Sequence, residues 1–143
     1  MKRVLALALL VAACRHGETT AGLGVDLFLD QDTVAIHGTL SGTVRLHNMR
    51  PDWMTVEFPN AQQAEVLFYD EQGQLAFGWP LYRQPKVSEL SLGPWCSRDY
   101  QFQFSPRDLA GETLRAGTYR AHARPADYPS PWTEKTVVLT DER

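Results

Sequence analysis

The chain is poor in cysteine, with Cys14 and Cys96 alone among 143 residues, too few for a disulfide framework. Its one long apolar run, residues 4–13, has ten residues, about half of the roughly 20 that a helix needs to cross a bilayer core. No segment shows a helical period. No Gly-rich phosphate cradle is present, and Ser41 in Gly38-Thr39-Leu40-Ser41-Gly42 lacks the Gly-x-Ser-x-Gly spacing of a nucleophile elbow. His16, His37, His47 and His122 include no helical i, i+4 pair and no Cys-x-x-Cys partner, so no zinc site is expected. Asp26, Asp30 and Asp32 lack the glycine and closing glutamate of an EF-hand and read as charge marking a strand edge. These gaps argue against an enzyme, and neither metal nor cofactor is expected.

What is present begins at the first residue. Lys2 and Arg3 precede the apolar run, which closes on small residues before Cys14, the layout of an export signal. Val11-Ala12-Ala13-Cys14 resembles a bacterial lipobox. The resemblance implies cleavage after residue 13 and a lipidated Cys14 as first mature residue. Two or three acyl chains together hold a soluble domain firmly to a bilayer. Arg15 in place of Asp is similar to the sorting pattern of outer-membrane lipoproteins; a cell with one membrane would carry the protein on the outer face of its plasma membrane. Lys2 and Arg3 would leave with the signal, so 12 of the 14 basic residues would remain against 17 acidic ones, a balance of about −5 that argues against nucleic acid as a partner.

The 130 residues left are enough for one domain with its own core. Residues 14–24 read as lipidated cysteine and polar tether, and residues 25–143 as the domain. Strand patterns dominate it. Leu40, Gly42, Val44 and Leu46 share one face of a strand, as do Tyr100, Phe102 and Phe104, or Tyr119, Ala121 and Ala123. Residues 65–69 and 74–79 flank Asp70-Glu71-Gln72-Gly73, a hairpin connection whose glycine can take positive φ. Residues 105–114, containing Pro106, read as a loop. Roughly eight short strands predict an all-β antiparallel sandwich. Cys96 is expected to be a buried, apolar free thiol.

Three blocks resemble the BsuPI family of intracellular proteinase inhibitors: Phe58-Pro59-Asn60 followed by residues 64–73 and closing at Trp79; Leu90-Ser91-Leu92-Gly93-Pro94; and Leu114-Arg115-Ala116-Gly117-Thr118-Tyr119. Glycine precedes proline in the second, and Ala116 stands where the family has proline in the third. The resemblance spans about residues 25–140 and implies an immunoglobulin-like sandwich and a protease as protein partner. Two aromatic, proline-rich loops, residues 79–85 and 124–132, could supply stiff recognition surface, which makes Trp79, Tyr82, Arg124, Tyr128 and Trp132 the candidate partner-binding residues. The expectation is a membrane-anchored, non-enzymatic protein-binding module acting as a proteinase inhibitor. The alternative is a structural or accessory subunit of a cell-envelope complex.

Overall fold

The computed structural model describes residues 20–80, 83–107 and 111–141; the signal, Cys14 and Tyr82 lie outside them. Period-two burial and the turns between strands divide the chain into β1 Leu23–Leu29, β2 Thr33–Ala35, β3 Leu40–Asn48, β4 Met54–Phe58, β5 Ala64–Tyr69, β6 Leu75–Trp79, β7 Ser88–Leu92, β8 Ser97–Phe104, β9 Gly117–Pro125 and β10 Thr133–Thr140. They form a three-stranded sheet in the order β1-β3-β8, a five-stranded sheet β2-β10-β9-β5-β6 and a two-stranded ribbon β4-β7. Each contributes to one core: Leu27, Val44 and Leu46 from the first, Val66, Phe77 and Val137 from the second, Val56, Phe58 and Leu90 from the third. Full burial of side chains this size stabilises by about 1.5–3 kcal/mol each. The result is an all-β, sandwich-like fold.

The sequence periods hold where they were cleanest. Every second residue of β3, from Leu40 to Asn48, is buried, and Tyr119, Ala121, Ala123, Val137 and Leu139 all point inward. In the hairpin between β5 and β6, Gly73 takes φ of 77°, while Asp70 Oδ1 accepts hydrogen bonds from the amides of Gln72 and Gln74, both 2.9 Å.

Four expectations need correction. There are ten strands rather than about eight; the ribbon that pairs β3 with β8 is interrupted at residues 49–53 and 93–96 before β4 and β7 take up the pairing. The sheets are not wholly antiparallel: after β1 the chain crosses over, the Val138 amide donates to Asp32 O at 2.8 Å, and β2 runs parallel to β10. The first strand starts at Leu23, inside the segment read as tether, since Leu23 pairs with Asn48. Cys96 is exposed rather than buried. It closes the turn in which its amide donates to Gly93 O at 3.1 Å, where the inward-outward alternation of a strand is suspended.

The interruption is organised by Asn48, 1% exposed. Its Nδ2 donates to the carbonyls of Asp52 at 2.7 Å, Gly93 at 3.0 Å and Leu92 at 3.2 Å, and its Oδ1 accepts from the Arg50 amide at 2.9 Å. One side chain thus bridges backbone groups on both sides of the interruption, sharing Gly93 O with the Cys96 amide. Gly42, in the middle strand of the three-stranded sheet, is equally constrained: a Cβ there would lie 2.3 Å from Phe28 O and 2.8 Å from the Phe102 ring.

Gly42→Ala should therefore destabilise the domain by about 1–3 kcal/mol through overpacking against backbone. Gly78→Ala should cost far less, because its Cβ meets only the flexible end of Leu67 at 3.3 Å. Urea unfolding of the two variants checks the contrast, and equal midpoints would contradict it.

Candidate functional site

On β5, Ala64, Val66 and Phe68 point into the core, so Glu65 points to the outer face of the five-stranded sheet. An outward glutamate is ordinarily solvated, yet Glu65 is 1% exposed. Loops returning over the sheet cover it. Its cross-strand neighbour Arg124 on β9 donates from Nε to Oε1 at 2.6 Å, and the Asp127 amide donates to the same oxygen at 3.1 Å. Arg83, from the connection between β6 and β7, donates to Oε2. The carboxylate is thereby held on both oxygens by two guanidinium groups and an amide.

The network extends outward. Asp127, with φ of 66°, receives Arg83 Nη1 on Oδ1 at 2.7 Å and Asn60 Nδ2 on Oδ2 at 2.6 Å. Backbone bonds join the same segments: the Ala126 amide to Gln63 O at 3.1 Å and the Ala61 amide to Gln84 O at 2.9 Å. Three connecting segments, residues 59–63, 83–87 and 126–132, converge and are cross-tied around one buried carboxylate. Gln63 links them to the other sheets, accepting from Tyr100 Oη on Oε1 and donating from Nε2 to Ser88 Oγ at 3.2 Å and Glu89 O at 3.1 Å. Burial pushes the Tyr100 phenol up to about 12, against a smaller downward pull from Arg98.

Beside this cluster the outer face continues with His122, register partner of Leu67 and Glu134. Trp132 stacks on its imidazole with centroids 4.8 Å apart, Tyr69 meets it edge-on at 6.1 Å, and Nδ1 lies 3.5 Å from Glu134 Oε2. Trp132 remains 55% exposed.

The five residues read as partner-binding thus have different positions. Trp132 is presented to solvent on the His122 platform. Arg124 belongs to the Glu65 network. Tyr128 packs edge-on against Phe58 at 5.6 Å and donates to Glu57 O, which fixes the last loop against β4. Trp79 pairs with Val66, faces inward and tilts against Phe102 at 5.5 Å, capping the core. Tyr82 is outside the described residues. The sequence alone assigns no role to Arg83 or Asp127, places Asn60 and Glu65 in the first BsuPI-like block without a role, and offers His122 only as a histidine without a zinc-ligand partner. Nothing near Glu65 in sequence announces its burial, because its partners lie 18 and 59 residues away.

The arrangement is suited to rigidity rather than proton transfer. Both oxygens of Glu65 are engaged by fixed donors, and no group of three or more His, Cys, Asp or Glu is placed to hold a metal ion among the described residues.

No family model and no curated protein matches the chain. Among solved structures, an alkylpurine DNA glycosylase of Pseudomonas fluorescens superposes on 84% of this chain with a TM-score of 0.54 at 12% identity. A β-glucosidase of Erythrobacter marinus covers 82% with 0.53 at 15%, and the sporulation control protein Spo0M of Bacillus subtilis covers 83% with 0.51 at 9%. The chain spans only 31%, 15% and 49% of those proteins' own lengths. At this identity the likeness is one of fold.

The Glu65 network generates a stability prediction. Replacing both arginines by methionine (R83M/R124M) leaves a buried carboxylate without a counter-ion and should cost about 3–5 kcal/mol, whereas adding Glu65→Met to that pair should restore most of the loss. Chemical denaturation of the double and triple variants checks this; a triple variant no more stable than the double would contradict it.

Tyr100 generates a pH prediction. Its folded pKa lies above the ordinary 10.0, so its stabilisation is complete below pH 10 and is lost as pH rises toward 12. Tyr100→Phe should flatten the alkaline fall in stability across that window, as read by denaturation midpoints, while leaving the acid limb unchanged.

Proposed function

We propose that this chain is an envelope-anchored, non-enzymatic protein-binding module, held to the membrane by lipid on Cys14, whose cross-tied loops inhibit a protease. The observation that carries the reading is the convergence of three connections on buried Glu65. A loop surface that is ordered before it meets its partner avoids much of the entropic cost of binding. The exposed Trp132, flanked by loop prolines, supplies the kind of aromatic anchor that dominates interfaces.

The BsuPI resemblance fits this assignment. Asn60, from its first block, is tied to the network. Tyr119, from its third, donates to Arg115 O at 2.8 Å, the tyrosine-corner contact of immunoglobulin-like sandwiches. In such sandwiches the loops at one end form the recognition edge. Lipidation implies a target at the envelope: the outer membrane where the cell has one, otherwise the outer face of the plasma membrane.

The full chain, titrated against a panel of envelope proteases, should slow one of them at stoichiometric concentration. Trp132→Ala should weaken that inhibition by about tenfold or more. Absence of inhibition across the panel removes the inhibitor assignment. A stable multiprotein complex recovered by crosslinking in membranes would then support an accessory-subunit role.

A further inference from the structure

Two of the four tryptophans in the chain are set where a folded domain has no use for them. Trp53 is 71% exposed, Trp95 67% and Met49 56%, and all three lie at the interruption between the β3–β8 and β4–β7 pairs. They form one corner. Asn48 ties the segment 49–53 to Leu92 and Gly93, and the Trp53 ring and Cys96 Sγ flank Gly93, each 3.4 Å from where its Cβ would be. Trp95 occupies the tip of the turn with φ of 61°, a conformation rarely adopted by an aromatic residue. Beside the corner Arg50 is ion-paired, bonding Asp52 through both carboxylate oxygens at 3.0 and 2.8 Å.

The chain enters the fold at this same corner. The Met49 amide donates to Gly22 O at 2.8 Å, the Leu23 amide donates to Thr20 O at 3.0 Å, and the Arg50 side chain lies over Gly22. Cys14 is six residues before Thr20, a reach of at most about 21 Å at roughly 3.5 Å per residue. A lipid on Cys14 therefore keeps the corner close to the bilayer. Tryptophan is enriched at membrane–water interfaces, where its ring meets acyl chains and its N–H stays hydrated.

We infer that the corner formed by Met49, Trp53 and Trp95 seats in the headgroup layer of the bilayer and orients the anchored domain on it. This rests on the lipidated Cys14 of the preceding section. Because Arg50 is already paired with Asp52, seating depends on the aromatic rings and should occur on a bilayer without anionic lipid.

The test uses the full chain with its native N-terminus, reconstituted in phosphatidylcholine vesicles whose acyl chains carry bromine near the headgroup. Tryptophan emission should fall relative to unbrominated vesicles, by at most the share contributed by Trp53 and Trp95, since rings at the headgroup level lie beside the bromines. Trp132→Phe, which removes an emitter away from the corner, should raise the fractional quenching, and the W53F/W95F variant should lose it. Quenching that is absent, or that survives in W53F/W95F, overturns the inference. So does a Cys96–Cys96 crosslinked dimer with unquenched tryptophans, which would place a second copy on this corner. The mass of the N-terminal peptide from the same preparation reads the anchor separately: an unmodified Cys14 removes the anchoring proposal and this inference with it, whereas a lipidated Cys14 with unquenched tryptophans removes the inference alone.

Discussion

A single carboxylate governs how the connecting loops are arranged. Glu65 belongs by strand parity to a solvated face, and what removes it from water is protein: Arg124 across the ladder, Arg83 from one connection and the backbone of Asp127 from another. Isolated in the interior, such a charge would be strongly destabilising. Here two of the three donors that satisfy it, the Arg83 side chain and the Asp127 amide, also fix a loop, so the requirement to pair the charge and the requirement to order those loops are met by the same bonds. Few loop arrangements answer both demands, which favours one loop geometry over many near-equivalent ones.

Asn48 performs the corresponding task for the sheet. A long two-stranded ribbon broken in its middle interrupts the ladder, and one buried amide side chain bridges the gap, its NH2 shared among three carbonyls and its oxygen accepting one amide. The two devices differ in character. Glu65 fixes elements far apart in sequence through charge, whereas Asn48 repairs the ladder by imitating the backbone it sits beside.

How much of this could be read from residues depended on the range of the interaction. Alternation in residues 40–48 and 117–124 and the glycine of the Asp70–Gly73 turn are local signals, and local sterics and burial decide them. Crossover of the chain into β2, where a three-residue strand runs parallel to β10, depends on a partner more than 100 residues away and leaves no local mark. Glu65 is invisible for the same reason: its outward position was legible, its burial was not. Cys96 failed differently. A small apolar side chain between strands is usually buried, but here it closes a turn, and the Gly93-Pro94 pair beside it was the available hint.

The β4–β7 ribbon has a mechanical meaning. Met54 follows directly on the exposed Trp53, and Phe58 leads directly into the loop holding Asn60; the returning strand begins at Ser88, hydrogen-bonded to Asn60 O at 2.8 Å, and ends at Leu92 beside the Gly93 turn. Two paired strands of five residues, about 14 Å long at 3.4 Å per step, therefore form a strut between the aromatic corner and the cross-tied loops. Its length works as a gauge. In a domain anchored as proposed, the distance from corner to loops would be set by the number of residues in a stiff ribbon rather than by the slack of the N-terminal tether. Strand parity makes that gauge discrete, because one added residue would turn Val56 and its neighbours out of the core and only paired insertions preserve the inward face.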